Sequence, residues 1–117
     1  MWTSCLSVDL RDGTLKKHAE LLTGRTWHGA CLLQNKIFVA GGHNNELQTV
    51  ENGEYYDLQQ DKWVEFFQYM DDYVENITLV EIRQRFIFAF GGKNNDGETP
   101  SKEIVRRFDS LRWEEGW

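Results

Sequence analysis

The sequence is short of the residues that mark out several common classes of protein, holding one proline, two cysteines and three histidines in 117 residues. A single proline beside 27% charged residues excludes a proline-rich or low-complexity linker. Cys5 and Cys31 stand in apolar, strand-like settings without metal-ligand spacing, so both read as reduced, buried thiols rather than a disulfide or a metal pair. No apolar run nears the about eighteen residues of a membrane-spanning helix. Met1-Trp2-Thr3-Ser4 lacks the basic and apolar regions of a signal peptide, so the expected location is the cytoplasm, where the sequon Asn76-Ile77-Thr78 reads as chance. Basic residues are outnumbered thirteen to nineteen, for a net charge of −6. With no basic cluster, neither nucleic acid nor an anionic membrane is an expected partner.

What is present is 40% hydrophobic and 14% aromatic residues, enough to build the core of about one small domain. The organising stretch is KIFVAGG, Lys36 to Gly42, which returns as RFIFAFGG, Arg85 to Gly92. In each copy an apolar, β-branched and aromatic run too short for a helix stops at a glycine pair, the pattern of a buried strand ending in a tight turn. Gly41, Gly42, Gly91 and Gly92 are suited to positive φ and close backbone approach. Each pair is followed by an aromatic-Asp step and then a tryptophan: Tyr56-Asp57 with Trp63, and Phe108-Asp109 with Trp113. A period near fifty residues points to a propeller or solenoid.

Read in order, Cys5 to Leu10 forms a strand that enters the Asp12-Gly13 hairpin signal. Leu15, His18, Ala19 and Leu22 also fit a helical face, with Thr14 as cap and Gly24 as stop, but the register of the repeat places a strand from Leu15 to Leu21. A hairpin follows, Arg25 to Leu33 and Ile37 to Ala40 across Gln34-Asn35-Lys36. After the polar loop His43 to Gln48, strands run through Glu54 to Leu58, with a bulge expected at Gly53, and through Trp63 to Phe67. Asp71, Asp72 and Glu75 form a solvated connector. The unit then restarts with strands at Ile77 to Ile82, Phe86 to Phe90, Ile104 to Asp109 and Trp113 to Trp117. With strands a to d in each unit, the chain reads c-d, a-b-c-d, a-b-c-d.

These residues resemble the kelch repeat, whose signature is an apolar run before a Gly-Gly pair, then a tyrosine, six residues and a tryptophan. Phe38-Val39-Ala40-Gly41-Gly42, Tyr56 and Trp63 fit that pattern, and Arg25 and His28 match the Arg and His often found before strand a. In the second repeat Phe108 replaces the tyrosine, four residues separate it from Trp113, and Glu75 and Thr78 replace Arg25 and His28; in the leading half-repeat Val8 and Leu15 stand for the rings. The resemblance implies an all-β fold of antiparallel four-stranded blades, about two and a half blades of a β-propeller that closes with about four to eight. The division is 1–24 as strands c and d of a preceding blade, 25–74 as a kelch repeat, and 75–117 as a degenerate second one. Remaining blades or self-association are expected to cover the open faces. The family's rings imply that Tyr56 and Trp63 fill the wedge between sheets.

Because strands in a blade alternate direction, the b-to-c and d-to-a loops emerge on one face. Long loops on a rigid scaffold are a usual place for binding. The expected partner-binding residues are His43, Asn44, Asn45 and Glu46 in one b-to-c loop and Lys93, Asn94, Asn95, Asp96 and Glu98 in the next, with a protein as partner. The function expected is a protein-interaction module or scaffold. Two alternatives are a flank of a kelch-type oxidase or sugar-processing enzyme with catalytic residues elsewhere, and a purely structural segment of a larger assembly. No enzyme, cofactor or metal is expected: His18, His28 and His43 are scattered, and Asp9, Asp57 and Asp109 recur at one repeat position, which suits turn capping. The glycine pairs lack the following helix that an anion cradle would use.

Overall fold

The computed structural model describes residues 2–66, 76–92 and 105–117. Among the described residues there are nine strands in three antiparallel sheets. β1 (Leu6–Val8) pairs with β2 (Leu15–Lys17); β3 (Gly29–Leu33), β4 (Lys36–Ala40), β5 (Gly53–Asp57) and β6 (Lys62–Phe66) form a four-stranded meander; β7 (Thr78–Ile82), β8 (Phe86–Phe90) and β9 (Val105–Asp109) form a three-stranded one. The expected Phe67 end of β6, the connector Asp71, Asp72 and Glu75, and the Ile104 start of β9 lie outside the described residues.

The alternation of the strands decides which faces meet. On β4, Phe38 and Ala40 point to one side, Ile37 and Val39 to the other. Phe38, Ala40, Leu33 and Phe66 pack with Ile77, Leu79, Ile87, Ala89 and Phe108 of the third sheet in one core. Val39, Tyr56 and Trp63 form a second core, against Cys5, Ala19 and Leu21 of the leading hairpin. Tyr56 and Trp63 are direct cross-strand partners and lie between sheets, where the ring pair fills the gap. Their spacing of six residues allows this: the chain turns through Leu58 to Asp61 and returns with both rings on one face.

The last repeat departs from the sequence reading. Trp113 to Trp117 is no strand; Trp113–Glu115 is a 3-10 turn. Four residues between Phe108 and Trp113 are too few for a turn and a returning strand, so the chain coils at once, with Arg112 N–H on the Asp109 carbonyl and Glu115 N–H on the Arg112 carbonyl. Trp113 still reaches the core, edge-on to Phe108 at 5.1 Å.

Three further expectations are corrected. β2 ends at Lys17 rather than Leu21, because the chain is diverted onto the β5–β6 turn, where the Ala19 N–H donates to Asp61. Gly53 carries no bulge: pairing runs unbroken from Gly53↔Phe66 to Asp57↔Lys62. A Cβ at Gly53 would stand 2.3 Å from the Phe66 ring, so this glycine is there to admit the ring. Cys5 and Cys31 are free thiols as read, but half-buried rather than buried; burial pushes Cys31 up to about 11, with Glu81 adding to it.

The capping expectation is met in all three copies. Asp9, Asp57 and Asp109 each accept the backbone N–H two residues on, from Arg11, Gln59 and Leu111.

Candidate partner-binding face

The b-to-c loop of the first repeat begins where Gly42 touches the connector into β3. Gly42 has φ +85°, and a Cβ there would lie 2.3 Å from the Thr26 carbonyl oxygen. That approach lets Thr26 and His43 exchange backbone hydrogen bonds at 2.9 and 3.0 Å. The b-to-c loop and the connector Leu21 to His28 are thus sewn together on one face, as strand alternation requires.

A buried charge network forms the floor. Arg25 and Glu54 have fully buried side chains and pair at 2.8 Å. Arg25 also donates to the carbonyl of Asn52 at 2.8 Å and to its side-chain oxygen at 3.1 Å. Glu54 accepts the N–H groups of Leu22 at 2.6 Å and Thr23 at 3.1 Å, so its remaining lone pairs are used. Burial pulls the Arg25 guanidinium down, and Glu54 opposes that pull. The carboxylate is thus fully used, while Arg25 Nε is buried without a hydrogen-bond partner among the described residues, so the pair is held chiefly by the bonds to Glu54 and Asn52. It locks both loop bases to β5.

Above this floor lies an open cleft of about 300 Å³, lined by Thr3, Leu22, Thr23, Gly24, Asn44, Asn45 and Glu46. Three of the expected binding residues line it. Asn44 shapes the loop: its side-chain oxygen takes the N–H groups of Glu46 at 2.9 Å and Gln48 at 3.0 Å, and its amide donates to Gln48. Asn45 and Glu46 are exposed. His43 is buried beneath them, its Nδ1 3.0 Å from the Asn44 carbonyl, so it supports the loop rather than presenting itself. Lys93, Asn94, Asn95, Asp96 and Glu98 lie outside the described residues. The sequence reading did not find Thr3, Leu22, Thr23 and Gly24, which reach the cleft from the segments flanking the leading hairpin, nor Glu54, whose place in an alternating strand gave no sign of burial. Arg25 before strand a was the available signal: a buried cation needs a carboxylate.

Elsewhere the structure gathers histidine chemistry the sequence scatters. Ser7 Oγ lies 2.6 Å from His18 Nε2, His18 Nδ1 lies 3.1 Å from the Tyr56 hydroxyl, and that hydroxyl donates to Asp61 at 2.5 Å. The bond to Asp61, then burial, pushes the Tyr56 phenol up to about 12. Asp61 also holds the Ala19 N–H at 3.0 Å and Trp63 donates to the Ala19 carbonyl at 2.8 Å, so the group ties the leading hairpin to the repeat. Among the described residues no three of His, Cys, Asp or Glu are grouped to hold a metal ion. No described helix is long and apolar enough to cross a membrane.

Successive antiparallel meanders stacked face to face through rings, with glycine pairs closing the second strand, are blades of a β-propeller. A model of the Kelch motif matches residues 24–66. Kelch-like protein 25 of Xenopus tropicalis is 30% identical over 105 residues, covering 83% of this chain and 18% of the relative. The chain is a kelch-repeat protein, a partial β-propeller that spans under a fifth of that relative's length.

Proposed function

We propose that this chain is a protein-interaction segment of a kelch-type propeller, acting as a scaffold in the cytoplasm and binding through the face that carries its b-to-c and d-to-a loops. In this reading a half blade over 1–24 and repeats over 25–74 and 75–117 hold the loops, and Asn44, Asn45 and Glu46 with Lys93, Asn94, Asn95, Asp96 and Glu98 meet the partner while His43 supports them. The observation that carries it is the cleft between Asn44–Glu46 and Leu22–Gly24, set on a buried Arg25–Glu54 floor. Preorganised loops bind at lower entropic cost than loops that must order.

A photo-crosslinking amino acid at Asn45 should yield a protein adduct, whereas one at Gln60, on the turn at the opposite face, should not. Alanine at Asn45, Glu46, Lys93, Asp96 and Glu98 together should abolish the Asn45-face complex. A complex that survives all five replacements would end this reading.

A second reading has its own observation. Phe86, Phe88 and Phe90 form a ladder along β8, with Val80 and Ile82 beside it on β7, each of those two 38–40% exposed. They occupy the side of the sheet that corresponds to Leu33, Phe38 and Ala40 of the first repeat, which the next sheet covers. A further blade packed there would make the segment a structural part of a larger assembly.

A further inference from the structure

The leading hairpin sets an exposed hydroxyl against an imidazole. Ser7 in β1 and Lys16 in β2 are register partners, and His18 follows two residues on, so alternation puts the three side chains on one face. Ser7 Oγ lies 2.6 Å from His18 Nε2; the serine is exposed and the His18 side chain mostly buried. Counting protons fixes the direction of the bonds behind that contact. A carboxylate only accepts, so the single proton of the Tyr56 hydroxyl is committed to Asp61 at 2.5 Å. The phenol keeps that proton, since its titration is pushed up to about 12. Its oxygen therefore offers only lone pairs to His18 Nδ1 at 3.1 Å, and the proton of the neutral imidazole sits on Nδ1. Nε2 is left with its lone pair aimed at the Ser7 hydroxyl.

The imidazole is held from behind by packed groups. Asp61 Oδ1 also takes the Ala19 N–H at 3.0 Å, and the Tyr56 ring is fixed against Trp63 between sheets. A serine beside an accepting imidazole that is itself oriented by a polar group is the arrangement that turns a weak hydroxyl into a nucleophile. Lys16, opposite Ser7, adds a cation on the face where negative charge would gather on an acyl oxygen under attack.

We propose that Ser7 is a modification site whose hydroxyl accepts an acyl group from a small activated ester, with His18 as the base and Tyr56 and Asp61 as positioning residues. In that transfer the bond between Ser7 Oγ and the acyl carbon forms and the bond from that carbon to the leaving alcohol breaks. The hydroxyl proton passes to His18 Nε2 and from there to the departing oxygen, so the products are the Ser7 ester and the free alcohol. Ser7 does not line the cleft, so the inference stands apart from the loop-face reading.

The test incubates the full chain with p-nitrophenyl acetate and maps acetyl groups by tandem mass spectrometry over time. Acetyl should reach Ser7 at least about tenfold faster than Ser4, which is also exposed and makes none of these contacts. His18→Ala should slow acetylation of Ser7 by about tenfold or more, and added imidazole should restore part of the rate, which loss of structure alone would not allow. Tyr56→Phe keeps the ring but leaves the Nδ1 proton without its acceptor. It should slow the transfer about two- to fivefold while the Trp63 indole N–H signal stays in place, which separates lost positioning from a loosened joint. Equal labelling of Ser7 and Ser4, acetyl that stops on His18 or Lys16 with none reaching Ser7, or a His18→Ala protein that is acetylated at Ser7 at the parental rate would each overturn the proposal.

Discussion

The chain is held together by two seams between sheets that are built on opposite principles. The first, between the leading hairpin and the four-stranded sheet, buries little more than Val39, Tyr56 and Trp63 and relies on polar handles: the Trp63 indole on the Ala19 carbonyl, the Tyr56 hydroxyl on Asp61, and Glu54 on two N–H groups of the connector. The second is chiefly aromatic, with the Gln34 side chain on the Gln84 carbonyl and the Asn76 N–H on the Trp27 carbonyl at its edges. Phe38 meets Phe66 edge-on at 5.5 Å and lies 6.1 Å from Phe108, while Trp113 closes over Phe66 at 5.9 Å. Tyrosine and tryptophan place a hydrogen-bonding tip at the end of an apolar body, whereas phenylalanine offers only area. A seam with a small partner thus gains direction from its bonds, and a seam with a full partner gains stability from burial.

The largest effect that would sharpen this contrast is Phe38→Ala. It removes a ring that is 1% exposed and touches both sheets, at an expected cost of about 3–5 kcal/mol, read as a fall in the urea midpoint. Trp63→Ala belongs to the same range by area. The two differ on conservative replacement: Phe38→Leu keeps most of the stability, while Trp63→Phe keeps the apolar body yet loses the bond to Ala19, which should cost about 1 kcal/mol more than volume alone explains. If Trp63→Ala melts with the parent protein, the ring is not a wedge and the first seam is misdescribed.

Glu54→Gln comes next. It leaves the Arg25 guanidinium buried without its carboxylate, and breaking such a pair by one partner costs about 3 kcal/mol. The loss should appear first as faster amide exchange at Leu22 and Thr23, whose N–H groups Glu54 accepts, while Ile87 and Ala89 in the second seam stay protected. Exchange that rises evenly across both seams would show that the network braces the whole chain rather than one joint.

The unequal legibility of the two repeats has the same cause. KIFVAGG and RFIFAFGG announced β4 and β8 because a buried strand flanked by a glycine pair leaves a contiguous apolar signature. The six-residue spacing from Tyr56 to Trp63 carried the geometry of a two-strand return, and the structure follows it. The 3-10 turn at Trp113 was hidden because a tryptophan near the expected place satisfies the pattern, although the shorter spacing forbids a strand. Likewise Gly53 looked like a bulge when its role is to admit Phe66, a contact between residues thirteen apart on neighbouring strands. In the cleft, Asn44, Asn45 and Glu46 were legible as a polar loop. Thr3 and Leu22 to Gly24 were not, since they reach it through tertiary packing that no local pattern encodes.

Acid should separate the seams most gently. The Asp61 carboxyl is held below its ordinary range first by the Ala19 N–H and then by the Tyr56 hydroxyl. A carboxyl whose folded pKa is depressed adds stability above its unfolded value, near 3.8, and that contribution fades as pH falls through the folded value. Asp61 therefore braces the first seam at neutral pH and releases it in acid. Among the described residues no carboxylate hydrogen bond bridges the second seam; the nearby brace is Asp109, paired with both nitrogens of the Arg85 fork at 2.9 and 2.7 Å and lowered to about 2, so it lasts to the bottom of the range. On titration from pH 5 toward about 2, the Trp63 indole N–H signal should broaden while Trp113 stays sharp. Asp61→Asn should make the Trp63 signal insensitive to pH over that interval, because its amide oxygen still accepts the Ala19 N–H but no longer titrates. Trp63 and Trp113 broadening together, in both the parent and the Asp61→Asn protein, would mean that acid acts on the fold as a whole and that the two seams are not independent joints.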